Sequence, residues 1–567
     1  MDTQILLTPS VVVILLLVFI YYRIWYHRFK QYSFWPQPPV SLLWGHWNVM
    51  HKAIQACPAG ASSDIAFGRI WETLGRPPAF ILDLRPVGSV LCVVCNHEMA
   101  EQSAQPSKKF PYGLGKPPVM KTMSALIGRG SIITSNGLEW KNLRRRYTQA
   151  FALPHLIRLL PVILDKVGNF LQNIEEYAVS SEEFRLGDIC NRVTYDIISK
   201  IMAPRYVAHR ALRSPSLDAV LLGESSDNIA DQLRQREIFR IYHQLVATYR
   251  NTEEESFLID PRVKWRRRRM ATQLDVLIQE AIKYRFSHSR SRVANHTIEG
   301  NLDGVILMSL VGVEELTQEI LNSTCDQVKT FLFAGHDTTS TLLQWALYEL
   351  SRTPRVLHSL RTELDEVLGH DTGTEVLYNC LTTQGASIFG KMPYLSAIIK
   401  ETLRLHPPGA TARMAVTGSG VFLQFPDGRT LCVDDFVVYN CLSIIHRDGD
   451  VYGESSNDFI PERWLCKKNT SALPASTWRP FERGPRSCLG QELANIEARV
   501  ILACAARKYD FFKVGLGETM VDASGAPILH ENGQYRAVED VYNTRELTFK
   551  PIDGMRMTVQ PALALDH

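Results

Sequence analysis

The chain has 567 residues, 62 basic against 59 acidic side chains for a formal net charge of +3, and 45% hydrophobic residues. Length alone would admit three or four domains, but no Gly/Ser-rich linker, low-complexity tract or internal repeat divides the sequence, so one large core is expected. The near-neutral charge speaks against a nucleic-acid partner, and 11 scattered cysteines, an odd number, speak against a secreted disulfide framework.

The first predicted element is an apolar helix from Ile5 to about Trp25, whose core Val11–Ile20 carries no charge. Roughly 20 helical residues cross a hydrocarbon layer about 30 Å thick. Asp2 precedes the helix, while Arg23, His27, Arg28 and Lys30 follow it, so the charge asymmetry predicts a cytoplasmic body. Tyr21, Tyr22, Trp25 and Tyr26 suit the membrane interface. A cleaved signal would need positive charges first and small residues at a cleavage site. Neither occurs, so an uncleaved anchor is expected. Trp35-Pro-Gln-Pro-Pro39 then breaks the helix. The expected layout is an anchor at 1–30, a stiff proline-rich hinge at 31–50 and a main domain at 51–567.

Ser89–Cys95 reads as a buried strand. Cys92, Cys95 and His97 lie close in sequence, but no second ligand pair follows at finger spacing, so zinc is not expected. Sequons at Asn295, Asn322 and Asn469 should stay silent in a cytosolic body. Gly137–Arg146 reads as a helix that carries Trp140 and Arg144 four apart on one face. Glu253–Glu255 and Arg266–Arg269 are charge runs, the second read as an exposed helix start or a membrane-facing surface.

Leu316–Arg352 shows apolar residues at helical spacing, without proline, until Thr353-Pro354. More than 30 residues would make an unusually long helix. At its middle sits Ala334-Gly-His-Asp-Thr-Thr339, where small residues would admit a flat cofactor or O2, and an acid beside a hydroxyl could relay protons. Such a polar run is poor for helix propensity, so something other than propensity must favour it. Met392–His406 is a second amphipathic helix, stopped by Pro407-Pro408, with Glu401 and Arg404 three apart. Another Glu-x-x-Arg, Glu349 and Arg352, reads as a surface pair. Further on, Phe481-Glu-Arg-Gly-Pro-Arg-Ser-Cys488-Leu-Gly490 precedes a helical run from Gln491 to about Lys508. A cysteine at a helix start feels the unpaired amides, which favours the metal-binding thiolate. Thiolate is among the few side-chain ligands of haem iron, and it pushes electron density toward O–O cleavage.

The Phe-x-x-Gly-x-Arg-x-Cys-x-Gly frame resembles the cysteine loop of the cytochrome P450 family, the haem-thiolate monooxygenases. The match is dense from about Asn136 to Lys508, with its motifs in the family's order, and thins between Tyr206 and Gly304 and after Asp510. The style of Gly-Pro-Arg-Ser-Cys-Leu-Gly-Gln resembles fungal members that tailor polyketides or terpenoids. The resemblance implies a mainly α fold with small β-sheets, preceded by one transmembrane helix. It implies haem b on Cys488, with Trp140, Arg144, Arg413 and Arg486 at the propionates and His446 as an ordinary loop histidine nearby. Gly335 would open the oxygen groove, Thr338 would hydrogen-bond bound oxygen, and Asp337 would link it to bulk water, with Thr339 competing for the hydroxyl role. Glu401, Arg404 and Arg463, the last from Pro461-Glu-Arg-Trp464, would form a buried structural charge network, in which Trp464 in place of phenylalanine disturbs no charge.

The resemblance also implies electrons from NADPH through a cytochrome P450 reductase, with cytochrome b5 as a second donor, and a small apolar substrate. It places the protein in the endoplasmic reticulum membrane with a cytosolic catalytic domain. Lys141, Arg145, Arg146, Lys467, Lys468, Arg479 and Arg483 would form a basic patch that steers the reductase. The polar tail Gly515–Thr548 reads as an insertion in the substrate-pocket region. The alternatives are a haem-thiolate isomerase or dehydratase that uses no O2, and a haem-binding protein without turnover.

Overall fold

The computed structural model describes residues 3–202, 226–249, 260–294, 304–465 and 473–562. Asp2, the sequons at Asn295 and Asn469, the run Glu253–Glu255, and Lys467 and Lys468 lie outside these residues. Helices hold 57% of the chain, well above the roughly 30–35% of an average soluble domain, as a mainly α fold requires. The chain gathers into two compact units. The first comprises Met1–Pro117, Ala410–Ser456 and Pro474–Arg486, and the second Pro118–Gly409, Asn457–Leu473 and Ser487–His567.

The first unit opens with helix α1, Thr3–Trp25. Its residues Val11–Ile20 are each 42–63% exposed, so this apolar surface finds no protein partner. Among the described residues it is the one helix long and apolar enough to cross a membrane. The next turn is different. Arg28 is buried, donates to the carbonyls of Leu42 and Leu43, and pairs with Asp83 at 2.6 Å. Burial pushes the Asp83 carboxyl up, but Arg85 and Arg28 outweigh it and hold it below its ordinary value. The proline segment expected as a hinge is packed chain: the amide of Ile81 donates to the Pro36 carbonyl at 2.9 Å, and Trp35 packs on Phe425.

That segment covers a four-stranded sheet built from β1 (Ala79–Asp83), β2 (Val90–Val94), β3 (Thr411–Met414) and β4 (Val437–Asn440) in the order β1-β2-β4-β3. Strand β2 runs parallel to β4 with Leu91 opposite Val437, and the other pairings are antiparallel. Ile81, Val90, Cys92 and Val438 enter one core, whereas Phe80, Leu82, Val93 and Tyr439 enter another. Both faces are therefore buried, which is why the strands read as continuous apolar runs rather than alternating ones. Cys92 and Cys95 point into different cores and are both free. Burial pushes the Cys92 thiol up to about 12, as suits an inert core residue.

The second unit is helical. The elements used below are α2 (Gly137–Thr148), α3 (Leu186–Met202), α4 (Ser226–Ala247), α5 (Pro261–Ala294), α6 (Gln318–Arg352), α7 (Pro393–Leu405) and α8 (Gln491–Lys508), with a short antiparallel pair, β5 (Asn543–Arg545) and β6 (Phe549–Pro551). Helix α6 starts at Thr317, whose hydroxyl caps the Ile320 amide, and stops before Pro354. At 35 residues it is about 52 Å long. Buried residues occur all round its middle and second half, which marks a central helix. Its polar run survives because hydroxyls bond backward along the helix: Thr338 donates to Ala334 and Thr341 to Asp337. The tail Gly515–Thr548 folds back on itself through bridges between Thr519 and Ala537 and between Leu529 and Tyr535.

The run Arg266–Arg269 opens α5 as expected, but Arg267 is turned inward, 3.8 Å over the Tyr249 ring, and donates to Thr248. Glu349 is likewise no surface residue. It is buried and accepts from His406 at 2.8 Å and from Gln534 at 3.1 Å, and His406 stacks on Trp345 at 3.8 Å.

Candidate active site

Cys488 sits two residues before Gly490, the N-cap of α8. Arg144, on α2, donates to the Ser487 carbonyl at 2.6 Å and so pins the loop directly beside the sulfur. The thiol is reachable by solvent, yet protein crowds it on most sides. Burial pushes the thiol above its ordinary value, against the pull of the Gly490 amide and of Arg144. The helix start does favour the thiolate, through the Gly490 amide, but for the free thiol burial is the larger effect. A bound cation supplies the charge that makes a buried thiolate tolerable. On the same helix Glu497 is fully buried, and neither carboxyl oxygen has a hydrogen-bond partner among the described residues. Burial pushes it well above its ordinary value. The sequence offered no sign of it beyond one acid in an apolar helix.

Glu401, Arg404 and Arg463 come together as one network. Arg404 makes two bonds to Glu401 at 2.9 and 2.8 Å, and Arg463 adds a third at 2.9 Å. The Ile460 amide also donates to Glu401, and Arg404 reaches the Asp458 carbonyl at 3.0 Å. Glu401 and Arg404 are completely buried, so every charge lies among partners. Trp464 has a role that sequence reasoning missed. Its indole N–H donates to the second Glu401 oxygen at 2.9 Å.

In the centre of α6, Ala334, Gly335 and Thr338 are half-buried while the residues around them are buried, Thr339 included. A Cβ at Gly335 would lie 2.7 Å from Ile198 on α3, so the glycine lets two helices approach, a packing role beside the groove-opening one expected of it. The adjacent His336 donates from Nδ1 to the Leu332 carbonyl and packs edge-on against Tyr195 and Tyr242. Burial lowers its pKa, so it is neutral.

Asp337 is not in contact with bulk water. It is buried, its Oδ2 accepts from Thr548 at 2.6 Å, and its Oδ1 lies 2.5 Å from Lys550 Nζ. Burial pushes the carboxyl up, but Lys550, His336 and Thr548 together hold it below its ordinary value, hence ionised. No sequence motif announced Thr548 or Lys550.

The first unit holds Arg413, on β3, and Arg486. Burial pushes both guanidinium groups down to about 10. Lys116 joins them: burial first, then repulsion from Arg413 and Arg486, pushes its ammonium well below its ordinary value. The nearby acid, Glu482, is already bonded by Arg479 at 2.6 Å. The buried Nη1 of Arg413 has no hydrogen-bond partner among the described residues. Buried and half-buried cations in such excess over acids call for an anion. Arg479 itself leaves the expected basic patch, being fully buried on Glu482 and the carbonyls of His97 and Ala100. His446 is structural and accepts from the Arg479 amide at 3.1 Å. Arg483 pairs with Glu101 at 2.8 Å, while Lys141, Arg145 and Arg146 are exposed on α2.

The sequence model described as Cytochrome P450 matches residues 78–523, and the chain belongs to that family. Among curated relatives it is similar to cytochrome P450 monooxygenase acrF of Aspergillus aculeatus, 29% identical over 76% of this chain and 84% of the relative. It is also similar to cytochrome P450 monooxygenase polC of Polytolypa hystricis, 27% identical over 84% of this chain and 81% of the relative. A bifunctional cytochrome P450/NADPH–P450 reductase of Gibberella moniliformis is 35% identical over 34% of this chain and 16% of its own length. The enzyme is a P450 monooxygenase, and its family carries haem with a cysteine thiolate on the iron. Each unit by itself holds residues that fit that group: the second a solvent-reachable sulfur in a loop pinned by Arg144, the first a cluster of Lys116, Arg413 and Arg486 suited to carboxylates.

Proposed function

We propose that this enzyme hydroxylates an apolar secondary metabolite, a polyketide or terpenoid, so that substrate, O2, NADPH and a proton give alcohol, NADP+ and water. Electrons come from a separate NADPH reductase, with cytochrome b5 as a second donor. The printed name of the bifunctional relative, which joins both activities, supports the same electron source here. Helix α1 is the single-pass anchor in the endoplasmic reticulum membrane, within 1–30, and the catalytic domain of 51–567 lies in the cytosol.

Cys488 binds the iron. Trp140 and Arg144, together with Arg413, Arg486 and the added Lys116, hold the propionates, for which guanidinium forks are suited. The haem, when bound, supplies O2 activation and cleavage. Glu401, Arg404 and Arg463 keep the fold behind the loop. Asp337 stays ionised and orients the polar turn, and Thr338 delivers the proton. The single observation carrying this reading is the contrast between the two hydroxyls: Thr338 is half-buried at the exposed break in α6, whereas Thr339 is 3% exposed. The Thr338 proton rests on the Ala334 carbonyl at 2.8 Å, so delivery needs only a turn of the hydroxyl. The intact acid–alcohol pair favours oxygenation over an isomerase that uses no O2.

A reduced, CO-bound spectrum with the thiolate band tests ligation. Thr338→Ala should keep that band but release peroxide and lower product per NADPH. Unchanged coupling would move the role to Thr339 or to water. Microsomes with reductase, fed crude pathway intermediates, should yield products heavier by one oxygen.

A further inference from the structure

The second unit contains a cleft of about 590 Å³ bounded by α3, α4, α5 and α6. This volume falls within the range of small-molecule sites, roughly 300–1,000 Å³. None of Cys488, Thr338 or Asp337 lines it. On α6 it is lined by Val328 and Leu332, which stand about 80° and about 120° round the helix from Thr338, so the cleft lies to one side of the Thr338 face.

Its floor and its rim differ sharply. The floor is aliphatic and buried: Ile238, Ile278, Ile282, Ile306, Val328 and Leu332. The rim carries Lys166, Arg192, Lys200, Arg234, Arg236 and Arg285, against one lining acid, Asp196. Arg192 and Arg236 are exposed and the other four half-buried, so the charged heads stand at the mouth while their stems descend along the walls. Some of this charge is engaged already, since Lys166 pairs with Asp165 at 2.7 Å and Arg234 lies 3.7 Å from Glu280. With Asp165 and Glu280 counted beside Asp196, six cations face three acids.

We propose that this cleft binds a single-chain amphiphile with an anionic head, a long-chain carboxylate, as a second ligand site distinct from the haem side of α6. Aliphatic side chains accept a hydrocarbon tail without asking for hydrogen bonds, and the burial gained scales with the apolar area removed from water. Guanidinium groups at the mouth match a carboxylate in charge and in bidentate geometry. An acidic peptide would bury a whole run of backbone donors and acceptors on a floor where Tyr195, Ser199 and Gln235 offer partners to only a few of them. A nucleotide would place its polar base there at a similar penalty. The cleft also touches the relay turn. Tyr195 and Phe239 line it, Tyr195 packs on the His336 ring at 5.8 Å, and the Leu332 carbonyl holds the His336 proton. A tail resting on Leu332 and Tyr195 is therefore one side chain away from the residue preceding Asp337.

The test uses the haem-loaded, full-length protein in phosphatidylcholine nanodiscs, saturated with an iron-binding azole so that the haem side is blocked. A photoreactive, diazirine-bearing laurate is added, crosslinked, and mapped by peptide mass spectrometry. The expected result is label on peptides containing Ile238–Phe239 and Ile278–Ile282. It should fall at least fivefold in the Arg192→Glu, Arg236→Glu double variant and in parallel labelling with the methyl ester probe. Both substitutions are at exposed positions, and the CO spectrum checks that the variant is folded. Label that disappears when azole is added would place the ligand at the haem and overturn the proposal. Equal labelling by acid and ester, or by wild type and double variant, would overturn it as well.

Discussion

Lys550 places its ammonium 2.5 Å from Asp337 Oδ1, inside a helix centre where the carboxylate is otherwise cut off from water. The acid expected to reach solvent is instead clamped by the pair Thr548 and Lys550. Replacing Lys550 with methionine should strand a buried charge and cost about 3–5 kcal/mol at neutral pH. The sign with pH follows from linkage. In the wild type the Asp337 value is depressed, so its contribution is complete above the unfolded value near ~4 and is lost as pH falls through the folded value. In Lys550→Met, burial is opposed by less, the folded value rises, and the penalty shrinks as pH falls toward it. Thermal midpoints of the two proteins from pH 8 to 5 should therefore converge toward the acid side. A gap independent of pH would show that Asp337 is not the group involved.

Gly335→Ala tests whether the glycine serves packing or a ligand. The added Cβ would meet Ile198 at 2.7 Å, an overpacking expected to cost about 1–3 kcal/mol. Ile198→Ala alone opens a cavity, but the double variant should recover stability, with a favourable coupling of about 1 kcal/mol or more in a double-mutant cycle. Additive losses would return Gly335 to a ligand role.

Glu401→Gln and Trp464→Phe separate charge from hydrogen bonding in one network. The first leaves the buried Arg404 and the half-buried Arg463 without their acid and should cost about 3–5 kcal/mol, with haem lost during purification. The second removes one bond to a charged acceptor, worth about 1.5–3 kcal/mol, and should keep haem. Denaturation midpoints and the CO-bound spectrum measure both. Equal losses would mean that the indole also packs as structure in its own right.

What was legible in the sequence is what lies close along it. Cys488 and its loop, the pair Glu401 and Arg404, and Trp140 with Arg144 each sit within one turn or one loop, so residue type and spacing carry their geometry. Thr548 lies 211 residues from Asp337, and nothing local marks a threonine or lysine in a polar tail as the partner of a buried acid. Residue type misled where burial decided: Arg479 and Glu349 read as surface charges, yet both are enclosed by partners from segments distant in sequence. Gly335 also has a packing role that its motif does not announce, since only the approach of α3 brings Ile198 against it.

Lys116 gives a prediction of opposite signs. Burial first, then repulsion from Arg413 and Arg486, holds Lys116 below its ordinary pKa against the pull of Glu482, so its charge weighs against the haem-free cluster. Lys116→Met should therefore raise the thermal midpoint of haem-free protein. With haem bound, the ammonium would answer a propionate through a charge-assisted bond worth about 1.5–3 kcal/mol. The same substitution should then weaken haem retention roughly 10- to 150-fold, read as faster transfer of haem to an excess of apomyoglobin. Lys141→Met, at an exposed position on α2, should change neither quantity. A Lys116 variant that is less stable without haem and retains haem as well as the wild type would show the lysine to be a packing residue, and the propionate assignment of Lys116 would fall with it.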